Sequence, residues 1–564
     1  MRNRLAAVVA ALVVLTGGSP VLARGGNRSL VPRPGGTRVD GRALARAAAE
    51  AGAPRFRIGF DKQLLDPDPA DIAAKSIHLG GFGLFPTRAS TGPMTLPDGS
   101  PEHLYVRAMA VINDRGKALL LANLENQGTF AAYKQCACGI WDARQQVALE
   151  LGIPIESIVV NSDHSHGGPD LIGLWGGVPV HYLQYVHDQT VKALKAAFAN
   201  AQPAYLLAGA STPTMPTPED GGYVASTATP GEKLVHSQFE KDAATGVDEN
   251  AVDTELRALH AVTPLGENLG TLINYSAHAD VAGSSNLGYT ADWPGWIATK
   301  TERALDEPVA VTMVADVGRS QPPRPNSDPT CVPNSHPGCE ADKIDTYTRI
   351  LLPFVTGAVG NATAVADDSI ANSEIFTREP ATNPALLGVS FTGATPANGY
   401  GAYRSATPPW VTGNVVGTFV SAHRVGDLLL TAAPGEAYPD IRFAVQKSVT
   451  GNSRTYTFGL ANDQLGYLIA PTSEYPWISA SNPGNDNAFF NVSVSYGDHV
   501  TCSQTTAAVA TGFTATGEPM PFGPNANPPA CPYYGAEDLV PQGPSPQAPW
   551  PWGDDNSTIP VPGS

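Results

Sequence analysis

Apolar and polar positions repeat with two different periods along most of the chain, and the two patterns alternate. The runs LYVRAMAVIND (104–114) and KALLLANLE (117–125) are typical of buried strands, and we expect them to lie side by side. The segment VHYLQYVHDQTVKALKAAFANA (180–201) has the spacing of a long amphipathic helix. Because such strands and helices alternate through most of the chain, the sequence predicts an α/β fold with helices packed on mixed sheets.

The pattern becomes strand-rich after about residue 370. The segments that carry it are LLGVSFTG (386–393), GDLLLTAAPGE (426–436), TYTFGLAND (455–463) and LGYLIAP (465–471). Proline and glycine then become frequent towards the C-terminus. We therefore predict one main domain over residues 54–500, strand-rich in its C-terminal part, followed by a Pro/Gly-rich extension over residues 501–564.

The N-terminus has the features of an export signal. Arg2 and Arg4 precede an apolar run, Leu5–Leu15, and the small residues around Ala23 suit a cleavage site. The apolar run is shorter than the ~20 residues that span a bilayer. We predict a signal peptide over residues 1–23 and a secreted protein. Residues 24–53 are rich in Gly, Arg and Ala and are predicted to be mobile, with a short helix around 40–51.

Charge and cysteine content narrow the class of protein. The net charge is −17, and because the chain has no basic cluster we exclude a nucleic-acid partner. Six cysteines in an exported chain predict disulfide bonds. Candidate pairs are Cys136 with Cys138, Cys331 with Cys339, and Cys502 with Cys531, but the pairing itself does not follow from the sequence. A metal clip is the alternative for the first pair.

Polar side chains that could bind a metal or act in catalysis follow the ends of five predicted strands. They are Asp163, His164 and His166; His278 and Asp280; Asp316 and Ser320; Glu436; and Asp463 and Tyr467. Because α/β sheets bind ligands beyond the carboxyl ends of their strands, we expect several of these side chains to share a site. His164 and His166 are two residues apart, and on an extended chain they would project to the same side.

The residue types favour a metal site. His164, His278 and Glu436 offer two imidazole nitrogens and a carboxylate, a donor set that suits Zn²⁺. A catalytic zinc also keeps one position open for water. Each residue has a structural alternative: His278 could be a hydrogen-bonded core histidine, and Glu436 could complement the dipole of the helix that follows it. Asp316, likewise, could merely cap a turn.

Five short blocks, in order, resemble the neutral/alkaline (non-lysosomal) ceramidase family. They are SDHSHGGP (162–169), INYSAHAD…GYTADWPGW (273–296), VADVGRSQPP (314–323), TAAPGEAYPDIR (431–442) and LGYLIAPTSEY (465–475). Together they span most of the predicted main domain, for which the resemblance implies a ceramidase-like catalytic domain. It also implies a zinc cofactor.

The resemblance assigns roles to individual residues. The positions that match the family's zinc ligands are His164, His278, Glu436 and Tyr467, and His166 matches the histidine that contacts the substrate and the oxyanion. Asp316 and Ser320 lie in the third block and are its catalytic candidates. Ser320 matches only with a gap, because Gly318 stands where some members carry serine. Asp280 or Asp292 remains for handling a proton or the substrate.

The sequence therefore predicts a secreted, zinc-dependent amidohydrolase that cleaves an N-acyl (sphingo)lipid amide. The expected partner is a small-molecule or lipid amide substrate. Transient contact with a membrane surface and the oligomeric state both remain open. Two alternatives remain: another metal-dependent hydrolase of phosphoesterase type, and an inactive secreted binding protein on the same scaffold. A serine hydrolase with a Gly-x-Ser-x-Gly elbow is not indicated, because the chain lacks that motif.

Overall fold

A mixed nine-stranded sheet forms the centre of the fold in the computed structural model. The structure describes residues 39–83, 86–133, 135–223, 229–237, 252–331, 338–380, 383, 415–450, 454–470, 487 and 490–516. The strands are β1 (Phe56–Leu64), β2 (His78–Leu79), β3 (Arg88–Ala89), β4 (Tyr105–Ile112), β5 (Ala118–Leu124), β6 (Ile158–Ser162), β7 (Gln202–Ser211), β8 (His236–Ser237), β9 (Leu256–Val262), β10 (Asn268–Tyr275), β11 (Ala310–Val314), β12 (Ser320–Gln321), β13 (Thr363–Ala364), β14 (Ile370–Pro380), β15 (Val415–Val425), β16 (Leu428–Ala432), β17 (Glu436–Ala437), β18 (Val449–Thr450), β19 (Thr455–Phe458), β20 (Tyr467–Leu468) and β21 (Thr514–Ala515).

The α-helices of the described residues flank these strands. They are α1 (Gly41–Glu50), α2 (Pro69–Ala73), α3 (Ile140–Leu151), α4 (Val180–Ala199), α5 (Pro218–Gly221), α6 (Asp292–Leu305), α7 (Cys339–Gly360), α8 (Pro439–Ser448) and α9 (Tyr496–Ala510). Short 3₁₀ turns cover Ile155–Ser157 and Pro329–Cys331. Local sequence accounts for helix ends: α3 begins where Asp142 accepts a hydrogen bond from the Gly139 N–H, and it stops at Gly152, whose φ of 65° suits glycine.

The order of strands in the large sheet is β11-β10-β9-β7-β1-β4-β5-β6, with β13 paired to β7. The pairs β5/β6 and β10/β11, near the two edges, are parallel, and the other pairs are antiparallel. The sheet is strongly curved, since β11 also contacts β4, β5 and β6. This curvature brings the carboxyl ends of β6 and β10 towards each other.

The segment that follows β19 joins the two edges of the curved sheet. Gly459 N donates to Val314 O of β11 at 3.1 Å, and Ser162 N of β6 donates to Leu460 O at 3.1 Å. Asn462 N also donates to Val160 O at 2.7 Å. The backbone groups that an open sheet edge would leave unpaired are satisfied in this way.

Helices and a second sheet cover the two faces of the large sheet. The second sheet has the order β14-β15-β16-β19, and side chains such as Met109, Val311, Leu430 and Phe458 fill the core between the sheets. Helices α3 and α4 pack on β4 to β6, α6 and α7 on β9 to β11, and α8 and α9 on the second sheet. The predicted α/β class, with mixed sheets, packed helices and a strand-rich C-terminal part, is confirmed.

Two of the predicted segment boundaries can be compared with helices of the described residues. Helix α1 occupies part of the segment 24–53, and its Ala45 and Ala48 pack against Tyr205 and Val262, so this part of the segment is attached to the sheet. Helix α9 runs across the boundary at residue 500 because its apolar face is buried against the second sheet. The signal peptide 1–23 and most of the C-terminal extension lie outside the described residues.

Two of the three expected disulfide bonds are present, Cys136–Cys138 and Cys331–Cys339. The first excludes the alternative of a metal clip in the described fold, because both thiols are consumed. The third expected pair involves Cys531, which lies outside the described residues, so that pairing stays a prediction. Among the helices of the described ranges, none has the length and apolar character needed to cross a bilayer.

Candidate metal centre

Three histidine side chains converge at one buried point at the open end of the curved sheet. His164 and His166 lie in the loop after β6, and His278 lies in the loop after β10. The Nε2 atom of His164 is 3.1 Å from Nε2 of His278 and 3.2 Å from Nε2 of His166. Nitrogen ligands of a tetrahedral zinc ion lie about 3.3 Å apart, since each is 2.0–2.1 Å from the metal. The spacing therefore fits a shared cation, and we call these three residues the histidine cluster.

The backbone decides which ring nitrogens face the centre of the cluster. Nδ1 of His164 is 2.9 Å from the carbonyl oxygen of Gln127, and Nδ1 of His278 is 3.0 Å from that of Val317. A carbonyl oxygen can only accept, so Nδ1 carries the proton in both rings. In the neutral rings, both Nε2 atoms then present lone pairs to each other. Such an arrangement needs a positive charge between them, and it is the usual way in which proteins orient metal-binding histidines.

Glu436 and Tyr467 lie on two short neighbouring strands beside the histidine cluster. They stand opposite each other in the parallel pair β17/β20. Glu436 Oε2 is 3.2 Å from His164 Nε2 and 3.7 Å from His278 Nε2. Burial alone would raise the pKa of Glu436, but the two histidines and a hydrogen bond from Tyr467 outweigh it and hold the pKa below its usual value. Gln464 Nε2 also donates to Oε1 at 3.3 Å, so the carboxylate is positioned from several sides.

The two histidines of the first block approach each other through a turn and not along an extended strand. Strand β6 has already ended, and His164 has a φ of 63°, in the left-handed region. Asp163 Oδ1 stabilises the turn by accepting from the N–H groups of Asn126, at 3.1 Å, and Ser165, at 3.2 Å. The expectation of an extended His-x-His segment is therefore wrong in its backbone, although both side chains reach the same point. Positive φ is uncommon in a non-glycine residue, and strained backbone of this kind clusters at functional sites.

Asp316 and Ser320 lie behind His278. The carbonyl oxygen of Ser320 accepts from the His278 N–H at 2.9 Å, and the Asp316 carboxylate faces Arg442, with Oδ2 3.8 Å from Nε. Among the described residues, neither side chain has a hydrogen bond to the histidine cluster. Both residues thus adjoin Val317, whose carbonyl holds His278. Their assignment as catalytic candidates stays a prediction.

Arg88 is a residue of the site that the sequence did not reveal. Its buried guanidinium group donates to the carbonyl oxygens of His166, at 2.6 Å, Asn286, at 3.1 Å, and Gly80. Burial lowers the pKa of Arg88 to about 10, so the group stays charged at neutral pH. It thereby fixes the backbone on which His166 is carried. A single arginine in the short strand β3 gives no signal from which this role could be read.

Asp292 holds the loop that carries His278. Its carboxylate accepts from the N–H groups of Val281, at 3.1 Å, Ala282, at 2.9 Å, and Trp293, at 2.7 Å. The indole Nε1–H of Trp293 donates to the carbonyl oxygen of His278 at 3.0 Å. Both carboxylate oxygens of Asp292 thus accept from backbone N–H groups, and its assignment to proton or substrate handling stays a prediction.

A buried acid behind the same loop provides a test by pH. Glu102 is 5% exposed, and its Oε1 accepts from Ala291 N at 2.9 Å. Burial raises the pKa of Glu102 from 4.5 to about 8, although nearby donors lower it in part. The folded state therefore holds the proton more tightly than the unfolded state. The contribution of protonated Glu102 to the free energy of unfolding is complete below pH 4.5. It falls by about 1.4 kcal/mol per pH unit as the pH rises towards 8.

We expect Glu102→Gln to lose less stability than the wild type when the pH is raised from 6 to 8. Glutamine keeps the acceptor for Ala291 but does not titrate. The unfolding free energy of the variant minus that of the wild type should therefore rise by about 2–3 kcal/mol between pH 6 and pH 8. Urea unfolding at both pH values measures it. Glu50→Gln, at an exposed position, is the control and should follow the wild type. Parallel curves for Glu102→Gln and the wild type would contradict the assignment.

Comparison with known proteins gives the class of fold. No protein-family profile and no curated protein matches the chain. Among solved structures, the chain is similar to the crystal structure of neutral ceramidase from Pseudomonas aeruginosa, with a TM-score of 0.59 and 17% sequence identity over 81% of this chain and 75% of that one. It is similar as well to a ceramidase complexed with C2, with a TM-score of 0.56 and 17% identity over the same shares. The chain thus has a ceramidase-like fold.

Proposed function

We propose that the protein is a secreted zinc-dependent amidohydrolase, related to neutral ceramidases, that cleaves an N-acyl lipid amide. One observation carries the proposal: the Nε2 atoms of two buried imidazoles lie 3.1 Å apart, with a carboxylate oxygen 3.2 Å from one of them. The ceramidase-like fold supports the choice of reaction.

Two histidines of the cluster, together with Glu436 and Tyr467, fit a zinc ion. His164, His278, Glu436 and Tyr467 offer two nitrogens and two oxygens, a set that is borderline in hardness and typical of zinc. In Glu436, Oε2 is buried and has no hydrogen-bond partner among the described residues. A buried carboxylate oxygen of this kind needs a positive charge nearby. We assign these four residues as the ligands.

The metal would supply Lewis acidity, which polarises an amide carbonyl and makes water more acidic. His166 is the group of this chain best placed to act on the substrate. Its Nδ1 has no hydrogen-bond partner among the described residues, and its ring is held against the edge of Phe82, with ring centroids 4.7 Å apart. We infer that His166 donates a hydrogen bond to the oxygen of the substrate on which negative charge develops.

Asp280 is the carboxylate that we assign to the polar part of the substrate or to a transferred proton. Arg324 pairs with Oδ2, whereas Oδ1 has no hydrogen-bond partner in the described part of the chain. Asp280 lies two residues beyond His278, and its backbone neighbour Ala279 accepts from His166 N at 2.8 Å. The carboxylate is thus held by one partner beside both histidine loops, with its other oxygen available.

Export is proposed from the N-terminal sequence and the two disulfide bonds. Disulfides persist in oxidising compartments, which agrees with a protein that leaves the cytoplasm. Ceramide and simpler N-acyl amides are the substrates to compare.

Elemental analysis combined with three assays tests the proposed function. We expect about one zinc per chain and hydrolysis of N-acyl sphingosine or of a shorter N-acyl amide, abolished by a chelator and restored by zinc. Two metals per chain with hydrolysis of a phosphate ester would instead support a phosphoesterase. Bound zinc without turnover of any of these substrates would support a binding protein on the same scaffold.

Gly81→Ala should impair turnover much more than Gly83→Ala. Both glycines have positive φ, 93° and 53°, so alanine strains the backbone at either position. Only at Gly81 would the new Cβ overlap the ring of His166, whereas no atom of the described residues lies within 4 Å of the one at Gly83. Because small displacements of a catalytic group are costly, we expect a loss in kcat of at least about tenfold for Gly81→Ala.

The pair of glycine variants is compared by amide hydrolysis and by thermal unfolding. Similar unfolding temperatures together with a selective loss of kcat at position 81 would support the role of His166. Equal kcat values for the two variants would show that the position of the His166 ring does not matter for turnover.

A further inference from the structure

Asp280 and Arg324 form an ion pair that uses only part of its hydrogen-bonding capacity. Nη2 of Arg324 donates to Asp280 Oδ2, and among the described residues the guanidinium group has no other partner. The Arg324 side chain is 42% exposed, so its remaining N–H groups are accessible from solvent. Oδ1 of Asp280 is buried and has no hydrogen-bond partner in the described part of the chain. The pair therefore presents one acceptor oxygen and several N–H donors side by side.

This ion pair lies next to the histidine cluster. Asp280 follows His278 by two residues, and the carbonyl oxygen of Ala279 between them accepts from the His166 N–H at 2.8 Å. Burial lowers the pKa of His166, and positive charges around it, that of Arg324 among them, lower it further. The pair is thus close to the imidazole that we assign to the oxygen of the substrate amide, on the loop that carries a metal-binding histidine.

Two further cations near the cluster are buried without a carboxylate partner. Lys343 Nζ donates to the carbonyl oxygen of Ala282 at 2.7 Å, and Arg88 donates to three carbonyl oxygens. Among the described residues, no carboxylate forms an ion pair with either of them. Burial lowers the pKa of Lys343, and the charge of Arg324 lowers it further. Because buried charges are costly without a counter-ion, these cations favour an anionic group on the ligand, although the whole chain has a net charge of −17.

An acceptor and a guanidinium fork side by side match one kind of amide particularly well. In an N-acyl α-amino acid, a single carbon atom separates the amide N–H from a carboxylate. The N–H can donate to Asp280 Oδ1 while the carboxylate accepts from the unused N–H groups of Arg324, whose planar fork suits carboxylate geometry. A neutral hydroxyl group in the place of the carboxylate would form only a weaker hydrogen bond, without the attraction between full charges.

We propose that the substrate amide is an N-acyl α-amino acid, whose N–H is bound by Asp280 and whose carboxylate is bound by Arg324. Hydrolysis adds water across the C–N bond and yields a fatty acid and a free amino acid, whose nitrogen takes up a proton. Arg324 is then the residue that determines specificity for the amine side of the substrate. This inference names the substrate class of the proposed amide hydrolysis and rests on that function.

Two substrates with the same acyl chain, N-dodecanoylglycine and N-dodecanoylethanolamine, test the assignment. For the zinc-loaded full chain, we expect kcat/KM to be at least about tenfold higher for the glycine conjugate, since hydrogen bonds between charged groups are the stronger ones. Arg324→Gln should remove most of this preference by slowing hydrolysis of the glycine conjugate, with the ethanolamide changed by no more than about twofold. Arg303→Gln, which removes an exposed positive charge from α6, is the control and should keep the wild-type preference.

The outcomes separate this inference from the proposed function. Equal kcat/KM values for the two substrates in the wild type, or a preference that Arg324→Gln leaves unchanged, would overturn the substrate class while amide hydrolysis stands. Hydrolysis of N-acyl sphingosine without hydrolysis of the glycine conjugate would do the same. A zinc-loaded chain that cleaves no amide would overturn the proposed function, and this inference with it. The comparison of substrates in the wild type decides the matter even if a variant does not fold.

Discussion

His164→Ala should reduce the zinc content from about one ion per chain to nearly none and lower amide hydrolysis by at least about a hundredfold, since even loss of an outer partner of a metal ligand costs that order of affinity. His164 is the centre of the cluster: its Nε2 lies within 3.2 Å of Nε2 of His166 and His278 and of Oε2 of Glu436. Removing it leaves the other groups without a common point of contact.

The control for this variant is His181→Ala, on the exposed surface of α4, where the histidine pairs only with Asp71 among the described residues. We expect wild-type zinc content and turnover for His181→Ala. Near-ultraviolet circular dichroism of both variants checks that the fold is retained. If His164→Ala kept both zinc and turnover, the histidine cluster would not be the metal centre and the proposed mechanism would be wrong.

Arg107→Ala should lower the free energy of unfolding by about 3–5 kcal/mol, the usual cost of breaking a buried ion pair from one side. Arg107, in β4, is 1% exposed and donates from Nε to Glu125 Oε1 at 2.6 Å, and it also pairs with Glu302 of α6. Without the guanidinium group, the buried carboxylate of Glu125 has no counter-charge. Burial already raises its pKa, which shows how unfavourable its charge is there.

Arg115→Ala is the matched control for Arg107→Ala. Arg115 lies in the turn after β4 and pairs with Asp368, and both side chains are well exposed, at 67% and 36%. Exposed pairs contribute about 0–1 kcal/mol because water screens them. Guanidinium unfolding of the two variants compares them directly. A loss for Arg107→Ala no larger than that for Arg115→Ala would mean that Arg107 does not hold α6 against the sheet.

The sequence predicted the elements of the fold better than their arrangement. Strands β4 and β5 and helix α4 follow from local sequence, because β5 is apolar and buried almost throughout and the face of α4 repeats every 3.6 residues. The neighbours of β1 do not follow from local pattern: it lies between β4 and β7, about 140 residues further along the chain. Pairing at that distance depends on the packing of the whole sheet.

The residues of the candidate centre could be selected from the sequence because they are unusual where they stand. Histidines and a glutamate directly after buried strands are chemically distinctive, and His164, His278 and Glu436 were selected on that ground. Arg88 could not be selected from the sequence, because it acts through carbonyl oxygens far from it along the chain. The extended conformation expected for His164 was wrong for a related reason: the turn is made by hydrogen bonds from Asp163 to neighbouring backbone groups.

The sequence by itself determined the α/β class and the kinds of side chain that follow its strands, because both depend on residue type and local spacing. Only the tertiary structure decided that these side chains meet. The carboxyl ends of β6 and β10 belong to distant parts of the sheet order, and they approach because the sheet curves until β11 contacts β6. The orientation of each imidazole was likewise decided by the carbonyl groups of Gln127 and Val317, whose positions come from the folded backbone and not from their side chains.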